Sequence, residues 1–473
     1  MILDVILENL KTLGGKLSYV NSEGETTFSE FYRYVSNIYR FLLDKNAGKL
    51  PVVIIGHKEV FFRAAMVASA FAGMTYVPID LHTPYDRTES ILRQLGDVFI
   101  IGEHQDADAS RAEIEEVMTS SKLFDIPKIL MKGDDTYYII FTSGSTGEPK
   151  GVMVSYNNVD SCIRWASSLL GERGKAIANQ GDFSFDLSVC DFWVSLYCGM
   201  VHLAFEKDGV KFFDEVFDRF TKYGAEIGVF TPSFIDLLLL DKRFSGECVP
   251  SLRTFLFCGE RLRGVTVERL QKRFPSAVII NCYGPTETTF AVTSAIIESS
   301  ENISLGYVKD GVEIFIFDSD GTPIPDGEVG EIVIVGDSVA KGYLSGGGGF
   351  FEYFGKKAYR SGDFGYKKSG EIYFVGRNDG QIKYKGYRIE LDDIEKNLLA
   401  IECVEYAFVY TKNDAFGRVL KIYADVLVKD GYEVSAKEIS SLLGKRVAEY
   451  MIPIINIVDE IPLSVNGKHE EKE

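Results

Sequence analysis

The sequence predicts an α/β protein: a large N-terminal domain of parallel and mixed sheets with covering helices, a β-rich subdomain, and a small mobile α+β C-terminal domain. Three observations predict this. Over the first 300 residues, short apolar strand patterns alternate with helical ones, which implies parallel sheets covered by helices. After about residue 300 the rhythm changes to strands joined by Pro/Gly/Asp turns. Beyond GRNDG (376–380), where glycine and Asp-Gly punctuate the chain, a block of about 95 residues reads as a separate unit.

The elements follow in order. MILDVILENLKTLGG reads as an amphipathic helix closed by Gly14, and with Asp4, Glu8 and no basic start it does not read as a signal peptide. Residues 27–44 have helical periodicity, with Phe28, Phe31, Val35, Ile38 and Phe41 on one side. VVIIG (52–56) is a β-branched strand of the buried kind, 59–72 a helix, and TYVPID (75–80) a strand ending at a turn. VFIIG, a helix near 109–118, the strand YYIIFTSG and a helix over about 156–170 continue the alternation. EIFIFDSDGTPIPDGEVGEIVIVG reads as a strand pair. Gly346 to Gly349 reads as a flexible loop. The last block holds a charged helix (Leu391 to Ala400), the strands EYAFVYT and KIYADVLV, and a helix near 435–447.

At 473 residues the chain exceeds one ordinary core, and two to three domains are expected. Its hydrophobic content of 46% and charged content of 25% are those of a soluble globular protein. A net charge of −18 argues against nucleic-acid binding and requires local basic groups wherever an anion is handled. The apolar run Ala64 to Met74 is too short for a membrane span and is broken by Ser69 and Gly73, so no membrane insertion is expected. The seven cysteines include no C-x-x-C pair, which predicts buried free thiols in a reducing cytoplasm rather than a metal or redox motif.

One stretch carries chemistry on its face. In FTSGSTGEPKG (141–151), seven of eleven residues are Gly, Ser or Thr, and Lys150 stands near the end. The run follows a buried strand and precedes a helix. Glycines let the backbone approach an anion, successive N–H groups form a nest, and the lysine adds charge, which suits phosphate. It is not a Walker A loop, because counting from Gly144 the second glycine position holds Pro149.

The longer run T-S-G-S-T-G-x-P-K-G-V resembles the signature of the adenylate-forming (AMP-binding) superfamily. AGMTYVPID with Pro84 and Arg87, NCYGPTETT (281–289), GEIVIVGDSVAKGYL (330–344), YRSGDFG (359–365), GRNDGQIKYKGYRIELDDIE (376–395) and PLSVNGK (462–468) resemble its other stretches, in order. The likeness spans essentially the whole chain. It implies an adenylation domain over 1–376 binding ATP and an amino acid, a small domain over 380–473 carrying a catalytic lysine, and a hinge near 377–380 at Asp379.

The same resemblance implies site residues, and each suits its task. Thr142, Ser143, Gly144, Ser145, Thr146, Gly147 and Lys150 would cradle the phosphates of ATP. Glu287 is a hard carboxylate suited to Mg²⁺, and Thr286 beside it can donate to the α-phosphate. Tyr283 offers a flat face for adenine and Asn281 a partner for its edge. Asp363 can accept ribose hydroxyls, and Arg377 can reach phosphate or ribose. Lys468 can stabilise charge developing between carboxylate and α-phosphate. Without that context Asp363 reads as a turn aspartate, Glu287 as a surface carboxylate and Lys468 as a tail lysine.

FSFDLSVCDFW (183–193) bears on the acid. Relatives that activate amino acids place an aspartate after Phe to meet the α-ammonium, and Asp186 fits. Its alternative is an N-cap for the following helix. Within this branch FSFDLSV, TPSF (231–234) and TFLFCGERL (254–262) resemble the D-alanine–D-alanyl carrier protein ligase family, which implies D-alanine as substrate. It implies that Cys258, with Val292, shapes the pocket and favours the D configuration. Cys258 can equally be a small core residue. Asp191 is given no role, and His202 reads as structural. The acceptor is expected to be the phosphopantetheine of a separate carrier protein, and the pathway D-alanylation of cell-wall lipoteichoic acid. The G-D-S at 336–338 mimics a carrier's attachment site but sits beside a strand of a matched motif. Another small amino acid, or a plain acid as in acyl-CoA synthetases, stays open, although the latter would leave Asp186 unpaired.

Overall fold

The structure is a computed structural model that describes residues 1–46, 48–121, 123–144, 147–205, 212–377, 381–414, 419–429 and 431–458. Two compact units divide the chain. One comprises Met1–Leu81, Asp97–Ile140 and Gly151–Arg377; the other comprises His82–Gly96, Phe141–Lys150 and Asn378–Glu473.

The larger unit is built on three sheets. A nine-stranded sheet runs in the order Tyr307–Val308, Thr293–Ile296, Val278–Tyr283, Thr254–Phe257, Ile227–Phe230, Ala176–Asn179, Val201–Ala204, Leu17–Asn21, Gly24–Thr27. From Val278–Tyr283 to Leu17–Asn21 its pairings are parallel, as the strand–helix alternation requires, and antiparallel pairs close both edges. A seven-stranded sheet centres on Tyr76–Asp80 and Val52–Gly56, whose residues are almost wholly buried. The strand pair predicted near 313–336 is present as Val312–Phe317 and Gly330–Gly336, antiparallel and in continuous register, within a five-stranded sheet that includes Lys356–Lys368 and Glu371–Arg377.

Helix ends follow their caps. Phe28–Lys45 starts at a capping box in which Thr27 and Glu30 bond reciprocally, and Tyr156–Leu170 starts at a like box of Ser155 and Asn158. Helix Leu187–Tyr197 is buried almost throughout and contributes Trp193, whose indole N–H donates to Tyr76 Oη at 3.2 Å. That bond pins the helix against the seven-stranded sheet at the level of Tyr76.

The smaller unit contains the hairpin Gln381–Tyr384/Tyr387–Glu390 and the three-stranded sheet Val404–Asn413, Val419–Val428, Ile454–Val458. Helices Leu391–Leu399 and Ala436–Leu443 share one apolar core with it. The helix expected near 435–447 ends at Leu443, where Gly444 caps it. No described helix is long and apolar enough to cross a membrane.

Five cysteines (Cys162, Cys190, Cys258, Cys282 and Cys403) are buried free thiols as expected, whereas Cys198 is half-buried and Cys248 exposed. Ser338 of the G-D-S stretch is fully buried, so it cannot serve as an attachment point.

Candidate active site

In the larger unit the predicted residues gather at the C-terminal ends of neighbouring strands. Asn281 and Tyr283 close the strand Val278–Tyr283; Cys258 follows Thr254–Phe257 directly. Such strand ends are where open α/β sheets bind ligands.

Asp363 is 2% exposed and lies opposite Arg377 in the antiparallel pair Lys356–Lys368/Glu371–Arg377. The Tyr283 hydroxyl donates to its Oδ2 at 2.6 Å, and Arg377 Nη1 donates to Oδ1. Arg377 Nη2 also donates to the Ser361 carbonyl at 3.2 Å, and the Asp363 N–H to Ser361 Oγ at 3.1 Å. A buried carboxylate is thereby fixed by two groups from two other strands. Each of its oxygens has a second lone pair, so further hydroxyls can still be accepted. Burial first, then the charge of Asp363, pushes the Tyr283 phenol well above its ordinary pKa, so it remains a donor. The Asn281 side-chain N–H donates to the Ser304 carbonyl at 2.8 Å, so that donor holds the neighbouring loop.

The chain then turns sharply. Gly284 has no room for a side chain, since a Cβ there would lie 2.6 Å from Ala291 Cα. Pro285 leads into the single 3₁₀ turn Thr286–Thr288. Thr289 and Phe290 follow at φ 60° and 70°, unfavourable for a β-branched and a bulky residue in succession. The strained pair is held by Thr289 Oγ1 donating to the Ser338 carbonyl at 2.9 Å and by the Ala340 N–H donating to the Glu287 carbonyl at 2.9 Å. Thr286 and Glu287 thus stand on an over-determined turn, both buried. The Glu287 carboxylate accepts from the Tyr343 hydroxyl at 2.5 Å, a partner that no local pattern reveals.

Asp186 occupies the N-cap position of Leu187–Tyr197 in a helical conformation, and its side chain makes no capping bond. The capping alternative therefore fails. The carboxylate sits near Cys162 and Tyr138: burial foremost, with Asp186 among lesser contributions, pushes the Cys162 thiol up to about 12. Cys258 is 3% exposed, with Sγ 3.9 Å from the Phe290 carbonyl, which ties it to the strained turn. Burial, then Cys258 and Cys162, raises the Cys282 thiol well above its usual range, so Cys282 stands as a neutral, inert thiol beside Cys258. Val292 is fully buried, and its N–H donates to the Tyr283 carbonyl at 2.8 Å.

Behind Asp186 the same helix places Asp191 against His202. His202 Nε2 lies 3.1 Å from Asp191 Oδ1, and Asn179 Nδ2 donates to both Asp191 oxygens at 3.1 and 2.9 Å. Burial, then Arg63 and Lys58, holds His202 well below its usual pKa. Its Nδ1 has no hydrogen-bond partner among the described residues, which a neutral ring tolerates and an imidazolium would not. The structural reading of His202 agrees with this.

In the smaller unit the Gly/Ser/Thr loop is tied to the residues 388–393. Gly144 can be no other residue, because a Cβ would lie 2.1 Å from the Glu148 carbonyl oxygen, and Gly147 has φ 84°. Ser143 Oγ donates to the Arg388 carbonyl at 2.9 Å and accepts from the Glu390 N–H at 3.3 Å. Lys150 Nζ pairs with Glu390 Oε1 at 3.2 Å. The Gly144 N–H reaches the Asp393 carboxyl, which burial raises and Arg87, 3.7 Å away, partly restores. Thr142 ends the strand Thr136–Thr142. The residues Ser145, Thr146, Asp379 and Lys468 lie outside the described residues.

This fold is that of adenylation domains. Similar solved structures include an artificially fused adenylation–PCP di-domain from Klebsiella oxytoca (TM-score 0.84, 19% identity, covering 97% of this chain and 93% of that one). Another is the Vibrio cholerae adenylation domain AlmE in complex with glycyl-adenosine-5'-phosphate (TM-score 0.82, 21% identity, 99% and 96% covered). The model of the AMP-binding enzyme family matches residues 8–344, and the chain belongs to that family. Its relatives include the D-alanine–D-alanyl carrier protein ligases of Bacillus licheniformis (34% identical, 100% of this chain and 98% of the relative covered) and Listeria monocytogenes serotype 4b (38% identical, 89% and 88% covered).

Proposed function

We propose that the protein activates D-alanine with ATP and transfers it to the phosphopantetheine thiol of a separate carrier protein. In the first half-reaction the amino-acid carboxylate attacks the α-phosphorus, the bond to pyrophosphate breaks, and alanyl-AMP forms. In the second, a thiolate attacks the adenylate carbonyl and AMP leaves. No side-chain nucleophile is required, so the protein contributes positioning and electrostatics.

The observation that carries this reading is Asp186: a half-buried carboxylate at a helix start, committed to no capping bond, in a family that activates carboxylic acids. It suits an α-ammonium. Full-length relatives named D-alanine–D-alanyl carrier protein ligase support the choice of amino acid and acceptor. The buried thiol of Cys258, with Val292, suits a methyl side chain. Asp363, Arg377, Tyr283 and Asn281 are assigned to the nucleoside of ATP, and the Gly/Ser/Thr loop with Lys150 to its phosphates.

Glu287 is assigned to the Mg²⁺ that accompanies ATP. A buried carboxylate whose orientation is set by a phenol fits a hard cation. When bound, that ion would neutralise phosphate charge. Lys468 is assigned to the charge developing at the α-phosphate, and Asp379 to the hinge about which the domain 380–473 alternates between half-reactions. The requirement for ATP supports a cytoplasmic location.

The test is loading of a phosphopantetheinylated carrier with D-alanine and ATP, read by mass spectrometry, with coenzyme A as competing acceptor. Alanyl thioester on the carrier is expected. Acylation of coenzyme A alone, with a carboxylic acid lacking an amine, would overturn the reading.

A further inference from the structure

Two tyrosines outside every role assigned above form a hydroxyl chain that ends on Glu287. Tyr343 belongs to the two-residue strand Gly342–Tyr343, which pairs antiparallel with Val152 and Met153. Its backbone is fixed on both sides: the Lys341 N–H donates to the Met153 carbonyl and the Leu344 N–H to the Gly151 carbonyl, each at 2.8 Å. Its ring packs edge-on against Phe350 at 5.1 Å, and Phe350 packs on Tyr359 at 4.8 Å. The glycine run 346–349 completes the seat. A Cβ on Gly348 would lie 2.2 Å from Tyr343 Cε2, so this stretch, read from sequence as a flexible loop, is glycine-rich where the tyrosine ring occupies the space.

The seat aims one hydroxyl. Tyr343 Oη lies 2.5 Å from Glu287 Oε1 and 3.1 Å from Tyr359 Oη. A phenol has one proton to give, and the carboxylate is the stronger acceptor, so Tyr343 donates to Glu287 and accepts from Tyr359. Chained donors strengthen one another in a buried site. Glu287 is 1% exposed, so this bond fixes the plane of a carboxylate that solvent cannot reorient.

We propose that Tyr343, backed by Tyr359, is a positioning residue for the metal-binding carboxylate of Glu287. The inference rests on the assignment of Glu287 to Mg²⁺. Groups that hydrogen-bond a ligating carboxylate commonly account for about 10- to 100-fold in metal affinity. A tyrosine that only filled the core would lose nothing on conversion to phenylalanine beyond a buried hydroxyl.

The experiment is calorimetric titration of ATP into the full chain at a series of Mg²⁺ concentrations, for wild type, Tyr343→Phe, Tyr359→Phe and Glu287→Gln. For Tyr343→Phe the Mg²⁺ concentration at half-maximal ATP binding rises about tenfold or more, with ATP affinity restored at saturating Mg²⁺. Tyr359→Phe shifts the same midpoint in the same direction by less, and it carries the test if Tyr343→Phe does not fold. Glu287→Gln abolishes the Mg²⁺ dependence. An unchanged midpoint in the tyrosine variants beside a lost dependence in Glu287→Gln overturns the positioning role alone. An unchanged dependence in Glu287→Gln overturns the metal assignment and the inference with it.

Discussion

Asp363 and Arg377 face each other across adjacent antiparallel strands, and the guanidinium of Arg377 donates to Oδ1 of an aspartate whose Oδ2 is held by Tyr283. The pair joins two strands of the five-stranded sheet to the last residue of a strand in the nine-stranded one. Under the proposed assignment, a carboxylate so fixed would meet ribose hydroxyls without reorganisation. Asp363→Asn keeps the shape and removes the charge. Hydrogen bonds to a charged group contribute about 1.5–3 kcal/mol, so KM for ATP should rise roughly 10- to 100-fold. Steady-state kinetics with varied ATP check this, and an unchanged KM would remove Asp363 from the nucleotide site.

Asp186 makes no capping bond, so the start of its helix does not depend on that side chain. Asp186→Asn should leave unfolding free energy within about 0.5 kcal/mol of wild type, because no cap is lost. KM for the amino acid should rise by at least about 30-fold, the low end for losing one partner of a desolvated charge pair. Urea denaturation and amino-acid-dependent exchange kinetics measure the two. A loss of stability with unchanged KM would reverse the assignment.

His202 is held neutral in the core while the unfolded chain's histidine protonates near pH 6.5. Its folded pKa is depressed, so below about pH 6.5 the unfolded state binds a proton that the folded state refuses. Stability should therefore fall as pH falls from 6.5, by up to about 1.4 kcal/mol per pH unit from this group. Denaturant unfolding at pH 7, 6 and 5 measures the slope, and His202→Asn should flatten it by that amount. Equal slopes would show that His202 titrates in the fold as it does in the unfolded chain.

Glu390 Oε1 lies 3.2 Å from the Lys150 ammonium, so under the proposed assignment of Lys150 to phosphate the two anions would compete for it. The pair is only partly buried, and pairs of this kind contribute at most about 1 kcal/mol. Glu390→Gln should lower the Kd for ATP by two- to fivefold at most, by the same magnitude. Calorimetry reads this directly, and weaker ATP binding would mean that Glu390 helps the loop rather than occupying it.

Much of this was legible in the chain because local chemistry determined it. VVIIG at 52–56 is a strand with the predicted ends, since a β-branched run has few alternatives. Helix Tyr156–Leu170 begins where Ser155 and Asn158 cap it. What was not legible depends on partners far along the chain. The short strands Gly342–Tyr343 and Tyr307–Val308 exist because an edge is there to pair with them. The parallel pairing of Tyr19 with His202 joins segments that no local pattern connects. Within the site, residue types such as Glu287 and Asp363 could be read from their motifs, but their holders could not. Tyr343 sits in a motif 56 positions from Glu287, and only the fold brings its hydroxyl to the carboxylate. The division of the chain was likewise not readable from local pattern: the grouping of His82–Gly96 and Phe141–Lys150 with Asn378–Glu473 has no local signal.

The central claim is that this adenylation fold selects an amino acid through Asp186, and ATP–pyrophosphate exchange tests it most directly. D-alanine, L-alanine and propionate, which is alanine without the amine, would be compared at equal concentration with and without Mg²⁺. The account predicts strongest exchange with D-alanine, weaker exchange with L-alanine and none above background with propionate. Exchange with propionate equal to that with D-alanine would contradict it, because selection would then not depend on an amine for the carboxylate of Asp186 to meet.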